Sequence, residues 1–200
     1  LRLALVGSTE LVDVESEWLH LNESGTKALK GRLMVEAKHR GEDPRRAWKA
    51  VEKTIEIRRS LAAFKEEGVE AHYFSCDLSD EEMVRQLVAD VERQVGPIRG
   101  IVHGAGFESA CRFEKKTYAG FSATVGPKAL GLEYLLAATD QKILGAVIGF
   151  GSTSGRFGGH GQADYAMAND LLAKMVGRIR ADRNIPATVF HWHEIGRAHV

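Results

Sequence analysis

The sequence has few cysteines, no surplus of charge and no long apolar run. Only two of its 200 residues are cysteines, which excludes a disulfide framework and favours a reducing compartment, so we expect a cytoplasmic protein. Its 27 basic and 27 acidic residues cancel, whereas a dedicated nucleic-acid-binding protein normally carries a basic surplus. No apolar stretch approaches the roughly 18 residues that a membrane span needs. The sequence therefore predicts neither a nucleic-acid partner nor a membrane partner.

Composition and length indicate one ordinary globular domain. Hydrophobic residues make up 44 % of the chain and charged residues 27 %, the balance of a folded globular protein. The chain begins at Leu1 without a charged-then-apolar leader, and residues 195–200 resemble the translation of a sequencing adapter. We therefore expect a truncated domain over residues 1–194 and a non-native tail over 195–200, with a natural polar C-terminus as the alternative.

Apolar runs alternate with helical patterns along the chain. Asp43-Pro44 predicts the start of a helix, and Ser79 with Glu82 predicts a capping box. Residues 10–41 have no clear pattern, and we expect about 10–65 to contain an extended, charged insertion. The predicted strands cover 1–7, 69–75, 98–103, 143–151 and 185–192, and the predicted helices cover 44–67, 80–95, 118–139 and 162–183.

The alternation of strands and helices predicts an α/β fold, a Rossmann-like, doubly wound parallel sheet with helices on both faces. In such a sheet, ligands bind outside the carboxyl ends of the strands. Gly7, Asp77, Gly104–Gly106 and Ser152 all follow directly on predicted strands. The sequence therefore predicts one ligand-binding crevice at this edge of the sheet.

Four polar side chains near that edge have the chemistry to act on a carbonyl group. Ser152 ends a buried strand, while Tyr165 begins a helix and Asn169 lies one turn further on the same face. A hydroxyl from the strand and a phenol from the helix can converge on one carbonyl oxygen. A phenol titrates near pH 10 in water, so acid–base work at neutral pH needs a nearby cation, and Lys128 is the available one.

Each of these residues also has an ordinary structural explanation. Serine, tyrosine and asparagine in such positions commonly pack or cap helices, and Lys128 taken alone fits a solvated surface lysine. Asp77 fits the N-cap of the following helix, and the glycines of residues 104–106 fit a tight turn. His191 and His193 share a strand face but lack a third ligand, so we predict no metal site.

Several motifs together resemble the ketoreductase (KR) domains of polyketide and polyunsaturated-fatty-acid synthases, a branch of the short-chain dehydrogenase/reductase superfamily. The motifs are Ser152 thirteen residues before Tyr165, Gly161-Gln162-Ala163-Asp164-Tyr165, Ala168-Asn169, His103-Gly104-Ala105-Gly106, Cys76-Asp77-Leu78 and Pro127-Lys128. In the wider superfamily the lysine follows the tyrosine and the asparagine lies on the preceding helix, whereas in the KR branch the two exchange places. Lys128 and Asn169 have the exchanged arrangement. The resemblance covers about residues 66–192, and more loosely residues 1–9 as the family's second strand.

The resemblance implies a role for each polar residue. Tyr165 would donate a proton to the substrate carbonyl, and Ser152 would hydrogen-bond the same oxygen. Lys128 would hold the cofactor ribose and keep the phenol acidic, and Asn169 would complete the tetrad and a water site for proton relay. The implied reaction is the NADPH-dependent reduction of a β-ketoacyl thioester, bound to an acyl-carrier protein, within a larger multidomain synthase of polyketides or fatty acids.

The same resemblance implies a set of cofactor-binding positions distributed over the strand ends. They are Gly7, Ser8, Thr9, Asp77, Leu78, His103, Gly104, Ala105, Gly106, Lys128 and Tyr165. Family members that use NADPH commonly carry an arginine after the second strand, where this chain has Ser8. Without that guanidinium the preference over NADH stays open.

The sequence departs from the superfamily pattern at the phosphate-binding loop. It contains no G-x-G-x-x-G, the loop that follows the superfamily's first strand. If Leu1 begins the second strand, the first strand and this loop are missing, and we expect weak or no cofactor binding by the 200 residues alone. Residues 107–111 also lack the Leu-Asp-Asp motif associated with one product configuration, which leaves the configuration unassigned.

Two other functions remain open from the sequence. One is a stand-alone short-chain reductase that acts on a small free carbonyl compound. The other is a catalytically silent dinucleotide-binding module, against which the chain retains Ser152, Tyr165, Lys128 and Asn169 together.

Overall fold

The computed structural model describes residues 1–192, which form five strands and seven α-helices. The strands are β1 (Arg2–Gly7), β2 (Glu70–Ser75), β3 (Gly100–His103), β4 (Ala146–Ser152) and β5 (Ala187–Trp192). The helices are α1 (Glu23–His39), α2 (Pro44–Glu66), α3 (Glu81–Gln94), α4 (Tyr118–Val125), α5 (Gly131–Ala138), α6 (Ser154–Phe157) and α7 (Ala163–Arg183). A π-helical turn (Gly126–Leu130) joins α4 to α5, and two 3₁₀ turns cover Ser16–His20 and Phe113–Lys115.

All strand pairs among these residues are parallel, which confirms the predicted α/β architecture. They form a two-stranded sheet, β1-β2, and a three-stranded sheet, β3-β4-β5. Leu3 pairs with Ala71 in the first sheet, and Ser152 pairs with Trp192 in the second.

The chain divides into two compact units, the first being Leu1–Cys76. This unit contains β1, β2 and a helical hairpin of α1 and α2, whose buried contact is made by Leu29, Trp48 and Ile55. Helix α2 begins as predicted, since the Asp43 carboxylate accepts hydrogen bonds from the amides of the first turn. Helix α1 was not predicted, although Asn22 caps it by accepting from the Gly25 amide at 2.9 Å.

The second unit begins at Asp77 and has its core between the three-stranded sheet and helices α5 and α7. Leu132 of α5, Val147 of β4 and Leu172 of α7 are completely buried. A β-carbon at Gly149 would lie 3.3 Å from Val189 and 3.4 Å from Val176, so the glycine lets α7 pack close to β4. No helix in the described part of the chain is long and apolar enough to cross a bilayer.

Two local predictions in this unit were wrong. The cap of α3 is Asp80, which accepts from the Met83 amide at 3.0 Å, and Ser79 instead donates its hydroxyl to Asp77. The helix predicted over residues 118–139 is interrupted by the π-turn. Its cause is Pro127, which has no amide hydrogen to donate to the turn before it.

Candidate active site

Ser152 is the last residue of β4 and is nearly buried. Its Oγ accepts a hydrogen bond from the Ser154 amide at 3.2 Å, which holds the hydroxyl at the start of α6. The His191 Nδ1 lies 3.2 Å from the Ser152 carbonyl oxygen and ties the end of β4 to β5. The serine hydroxyl is therefore fixed at the carboxyl end of the sheet, where the sequence predicts the crevice.

Lys128 lies in the π-turn and is 4 % exposed, which contradicts the alternative of a solvated surface lysine. Its ammonium donates to the Phe150 carbonyl at 3.1 Å, on β4 and two residues before Ser152. A β-carbon at Gly106 would lie only 2.7 Å from the Lys128 Cε, so this glycine leaves the space that the lysine occupies. Burial lowers the pKa of the Lys128 ammonium from its usual 10.5.

His103, the last residue of β3, holds the π-turn through a hydrogen bond. Its Nε2 lies 2.9 Å from the Lys128 carbonyl oxygen, and since a carbonyl only accepts, Nε2 carries the hydrogen. Burial is the main cause that lowers the pKa of His103, and the Lys128 charge adds to it against the backbone hydrogen bonds. The His103 ring thus holds the backbone of Lys128, and the cofactor contact that the resemblance implies for this residue stays a prediction.

Tyr165 and Asn169 lie one turn apart in the first half of α7. The Asn169 Nδ2 donates to the Tyr165 carbonyl at 2.8 Å, and the asparagine is completely buried. Its Oδ1 has no hydrogen-bond partner among the described residues. A β-carbon at Gly155 would come within 2.9 Å of the Asn169 Cβ, so α6 packs directly on this part of α7. A buried acceptor without a partner is costly, and it is the kind of atom that a bound water or ligand satisfies.

The elements that carry these four residues pack against one another. The end of α4 and the π-turn contact α7 through a buried cluster of Val125, Ala129 and Ala168, the last adjacent to Asn169. Lys128 reaches β4 from the same turn. The second unit thus brings together the strand end with Ser152, the turn with Lys128 and the helix with Tyr165 and Asn169.

The predicted cofactor-binding positions fall in both units. Gly104 and Gly106 form an exposed turn after β3, and a β-carbon at Gly104 would meet only a Phe150 ring atom at 3.7 Å. Asp77 accepts from both the amide and the hydroxyl of Ser79, which lowers the pKa of its carboxyl group. It therefore forms a turn of its own, since the helix cap is supplied elsewhere. Leu78 is half-buried and lies close to α5, where a β-carbon at Gly131 would come within 2.9 Å of the Leu78 Cβ.

The end of β1 belongs to the first unit. The Tyr73 hydroxyl donates to the Thr9 carbonyl at 2.8 Å, and a β-carbon at Gly7 would lie 2.8 Å from that hydroxyl oxygen. Gly7, Ser8 and Thr9 are thus held against β2 as a short turn after the strand.

A nicotinamide dinucleotide fits the residues of the second unit. The exposed glycine turn after β3 leaves backbone accessible to a ligand. The buried Asn169 Oδ1 is an acceptor that has no hydrogen-bond donor among the described residues. Within residues 1–192 no three His, Cys, Asp or Glu side chains are arranged to hold a metal ion, and His193 lies outside the described residues.

Comparison with known proteins decides the family. The family model of the KR domain matches residues 34–196. The chain belongs to the KR domain family. This KR domain is 35 % identical over 182 residues to a polyunsaturated fatty acid synthase of a Thraustochytrium species, and 36 % identical over 115 residues to polyketide synthase PksL of Bacillus subtilis. The matches cover 86 % and 58 % of this chain but only 6 % and 2 % of the two synthases.

Solved structures of the same kind match the fold of this KR domain. A ketoreductase of the macrolactin assembly line is 28 % identical, with a TM-score of 0.64 over 69 % of this chain and 29 % of that chain. A ketoreductase domain of the bacillaene assembly line is 32 % identical, with a TM-score of 0.61 over 72 % and 36 %. A short-chain dehydrogenase from Mycobacterium avium, 15 % identical over 68 % of this chain and 51 % of that chain, has the same fold with a TM-score of 0.63. This KR domain is therefore an oxidoreductase of a family that uses nicotinamide dinucleotides.

Sequence reasoning missed two further groups next to Tyr165. Asp164 forms a buried ion pair with Lys116, and Gln162 accepts from the Ser154 hydroxyl at 2.8 Å while it donates to Glu108. Both residues stand in the Gly161–Tyr165 run, so the motif was visible. The partners Lys116 and Glu108 were not, because they lie about 50 residues away along the chain.

Proposed function

We propose that this KR domain reduces the keto group of a β-ketoacyl thioester to a hydroxyl group, with NADPH as the hydride donor. What supports the proposal is the grouping of Ser152, Lys128, Tyr165 and Asn169 on elements that pack together at the carboxyl end of the sheet. Family membership and the presence of all four polar residues argue against a silent dinucleotide-binding module.

The proposed chemistry forms one C–H bond and one O–H bond at the keto group. When bound, reduced nicotinamide supplies the hydride to the carbonyl carbon. Tyr165 gives its phenolic proton to the carbonyl oxygen, and the Ser152 hydroxyl donates a hydrogen bond to the same oxygen. Negative charge develops on that oxygen in the transition state, so two donors fixed beforehand stabilise it more than they stabilise the ketone.

Lys128 and Asn169 act on Tyr165 and on the cofactor in this proposal. The Lys128 ammonium binds the ribose hydroxyls and stabilises the phenolate that proton transfer leaves behind. The Asn169 Oδ1 binds a water molecule through which the phenolate is reprotonated. A buried acceptor without a partner among the described residues supports this assignment.

We infer that the substrate is tethered to an acyl-carrier protein and that the domain is one part of a larger synthase in the cytoplasm. The relatives that support this are synthases of which the chain spans 6 % or less. The domain then covers residues 1–194, with residues 10–65 as an insertion that includes the helical hairpin and 195–200 as a non-native tail. Ser8 and Thr9 are the hydroxyl donors proposed for the ribose end of the cofactor. Donation to a 2′-phosphate would favour NADPH, and donation to a free 2′-hydroxyl would favour NADH.

The test is Tyr165→Phe in the full-length protein that contains this chain. We expect loss of most reduction of a β-ketoacyl thioester, measured as oxidation of NADPH, because the proton donor is removed. Binding of NADPH, measured by titration calorimetry, should persist because the phenyl ring keeps its place in α7.

Tyr134→Phe is the matched control, since it deletes a phenol from α5 and should leave turnover unchanged. Full turnover in Tyr165→Phe would contradict the proposed mechanism. Comparison of a carrier-bound thioester with the same acyl group on a small thiol tests the carrier: equal kcat/KM for both would favour a stand-alone reductase.

A further inference from the structure

A buried ion pair joins the loop between β3 and α4 to the start of α7. The Lys116 Nζ lies 2.7 Å from the Asp164 Oδ1, and the two side chains are 9 % and 6 % exposed. Every other ion pair within residues 1–192 joins side chains that are at least 28 % exposed. Asp164 stands directly before Tyr165, so the pair forms at the residue that precedes the proposed proton donor.

Asp164 holds the backbone of the first turn of α7. The residue at the N-cap, Gln162, makes no side-chain capping bond, so the first amides of the helix need other acceptors. The Asp164 Oδ1 accepts from the Tyr165 amide at 2.8 Å, and the Thr124 hydroxyl lies 3.5 Å from Oδ2. The orientation of the carboxylate thus affects the turn from which the Tyr165 side chain projects.

Lys116 fixes that carboxylate from the opposite segment. Burial raises the pKa of the Asp164 carboxyl, but the hydrogen bonds from Lys116 and from the Tyr165 amide outweigh it and leave the pKa lowered. The pKa of Lys116 is raised, mainly by its hydrogen bond to Asp164, and the Cys111 side chain adds to this effect. Both groups are therefore charged at neutral pH, and each compensates the buried charge of the other.

Two further contacts join the same segments. The Cys111 amide donates to the Gly161 carbonyl at 3.1 Å, and the Gln162 side chain donates to Glu108. The Lys116 Nζ also lies 3.5 Å from the Ser109 carbonyl oxygen. Residues 108–116 and 161–164 are thus connected at three points, of which the ion pair is the buried one.

Stability alone does not explain a buried ion pair. Removing two charges from water costs free energy that their attraction offsets only with good geometry, and neutral replacements of similar volume are often as stable. What a charged pair adds over a neutral one is a short contact with a defined direction.

We propose that Lys116 is a positioning residue, which orients Tyr165 for proton donation through its buried ion pair with Asp164. The inference rests on the proposed function, since it assigns Lys116 a role only if Tyr165 is the proton donor. A displacement of a reacting group by about 1 Å can lower the rate about 100-fold, so a small change in the first turn of α7 is enough to affect catalysis.

The test is a double-mutant cycle in the full-length protein, with Lys116→Met, Asp164→Asn and the combination of both. We measure thermal unfolding, NADPH affinity, and kcat and KM for a β-ketoacyl thioester. Each single variant leaves one buried charge without its partner and should lower Tm. The double variant should regain Tm, because no charge is left and the amide oxygen introduced by Asp164→Asn still accepts from the Tyr165 amide.

Turnover should not follow Tm in this cycle. We expect kcat to fall about 10- to 100-fold in Lys116→Met and to stay low in the double variant, with KM and NADPH affinity nearly unchanged. Lys174→Met is the matched control on the same helix, because its pair with Asp170 is exposed, and it should leave kcat unchanged.

Three outcomes separate the two proposals. Recovery of wild-type kcat together with Tm in the double variant would show a purely structural pair and overturn the inference. If Lys116→Met does not fold, the double variant still decides between the two roles. Retained turnover in Tyr165→Phe overturns the proposed function itself, whereas inactive Tyr165→Phe with a fully active double variant overturns only the role of Lys116.

Discussion

Lys128 shows, at the scale of one residue, how a functional group is held at a cost in stability. Its ammonium is buried with a single hydrogen-bond acceptor among the described residues, the Phe150 carbonyl, and burial lowers its pKa. A buried cation is less favourable than a buried apolar group of the same length unless it is fully hydrogen-bonded. Gly106 makes room for it, since any side chain there would displace the lysine. Folding alone does not explain a charge at this position, which supports the role proposed for Lys128.

Lys128→Met should therefore change activity and stability in opposite directions. We expect turnover to be lost, and Tm to rise by about 2–4 °C, the shift that about 1 kcal/mol produces in a domain of this size. Kinetic assay and calorimetric unfolding of the full-length protein measure the two effects. The exposed Lys142→Met serves as the comparison, and a fall of Tm in Lys128→Met would contradict the account of a costly buried charge.

The π-turn is the element on which the site depends most. Pro127 interrupts the helix, and the carbonyl groups that the interruption leaves without helical donors need a partner from elsewhere. The His103 ring supplies it at the Lys128 carbonyl. Strand β3 thus fixes the turn that carries Lys128, and burial of the His103 ring links its protonation to the stability of the fold.

This link predicts a pH dependence of stability. Because the pKa of His103 is lowered from 6.5 in the folded state, both states carry a neutral ring above about pH 6.5. As the pH falls below that value the unfolded chain binds a proton that the folded chain does not, so stability is lost until the folded pKa is reached. We expect Tm to fall over this interval in the wild type.

His103→Gln should reduce that slope, since an amide N–H donates to the Lys128 carbonyl without titrating. Thermal unfolding measured at several pH values checks the expectation. His72→Gln is the comparison, because that histidine is more exposed and lies on β2. An unchanged dependence of Tm on pH in His103→Gln would show that a different group is responsible for it.

The elements differ in how far the sequence determines them. Strands β4 and β5, helix α7 and the start of α2 were predicted because their apolar runs and caps are local. Helix α1 was missed, since its buried contact with α2 depends on a few residues, such as Leu29, spaced without a strong period. The π-turn was missed because the predicted helix over residues 118–139 was continued through Pro127, and the Lys116–Asp164 pair was missed because it joins distant segments.

At the scale of the whole molecule each unit has a parallel sheet of its own, β1-β2 in the first and β3-β4-β5 in the second. No G-x-G-x-x-G occurs in the 200 residues. The second unit carries the residues proposed to act at the carbonyl group, whereas the 200 residues contain no loop of the kind that normally binds pyrophosphate.

The affinity for the cofactor should reflect the absence of this phosphate-binding loop. We expect residues 1–200 expressed alone to bind NADPH more weakly than about micromolar, because the backbone amides of a phosphate loop are not supplied. The full-length protein should bind it well. Isothermal titration of both measures the difference, and micromolar affinity in the 200 residues would show that the loop is dispensable.

The stacking of Trp192 on Phe150, with ring centroids 6.0 Å apart, makes this end of β5 observable. The chain has three tryptophans, of which Trp18 and Trp48 belong to the first unit and Trp192 pairs in register with Ser152. Incorporation of fluorotryptophan would therefore give separate ¹⁹F signals for the first unit and for the end of β5. These signals would distinguish ligand binding from the unfolding of either unit in one sample, without any substitution.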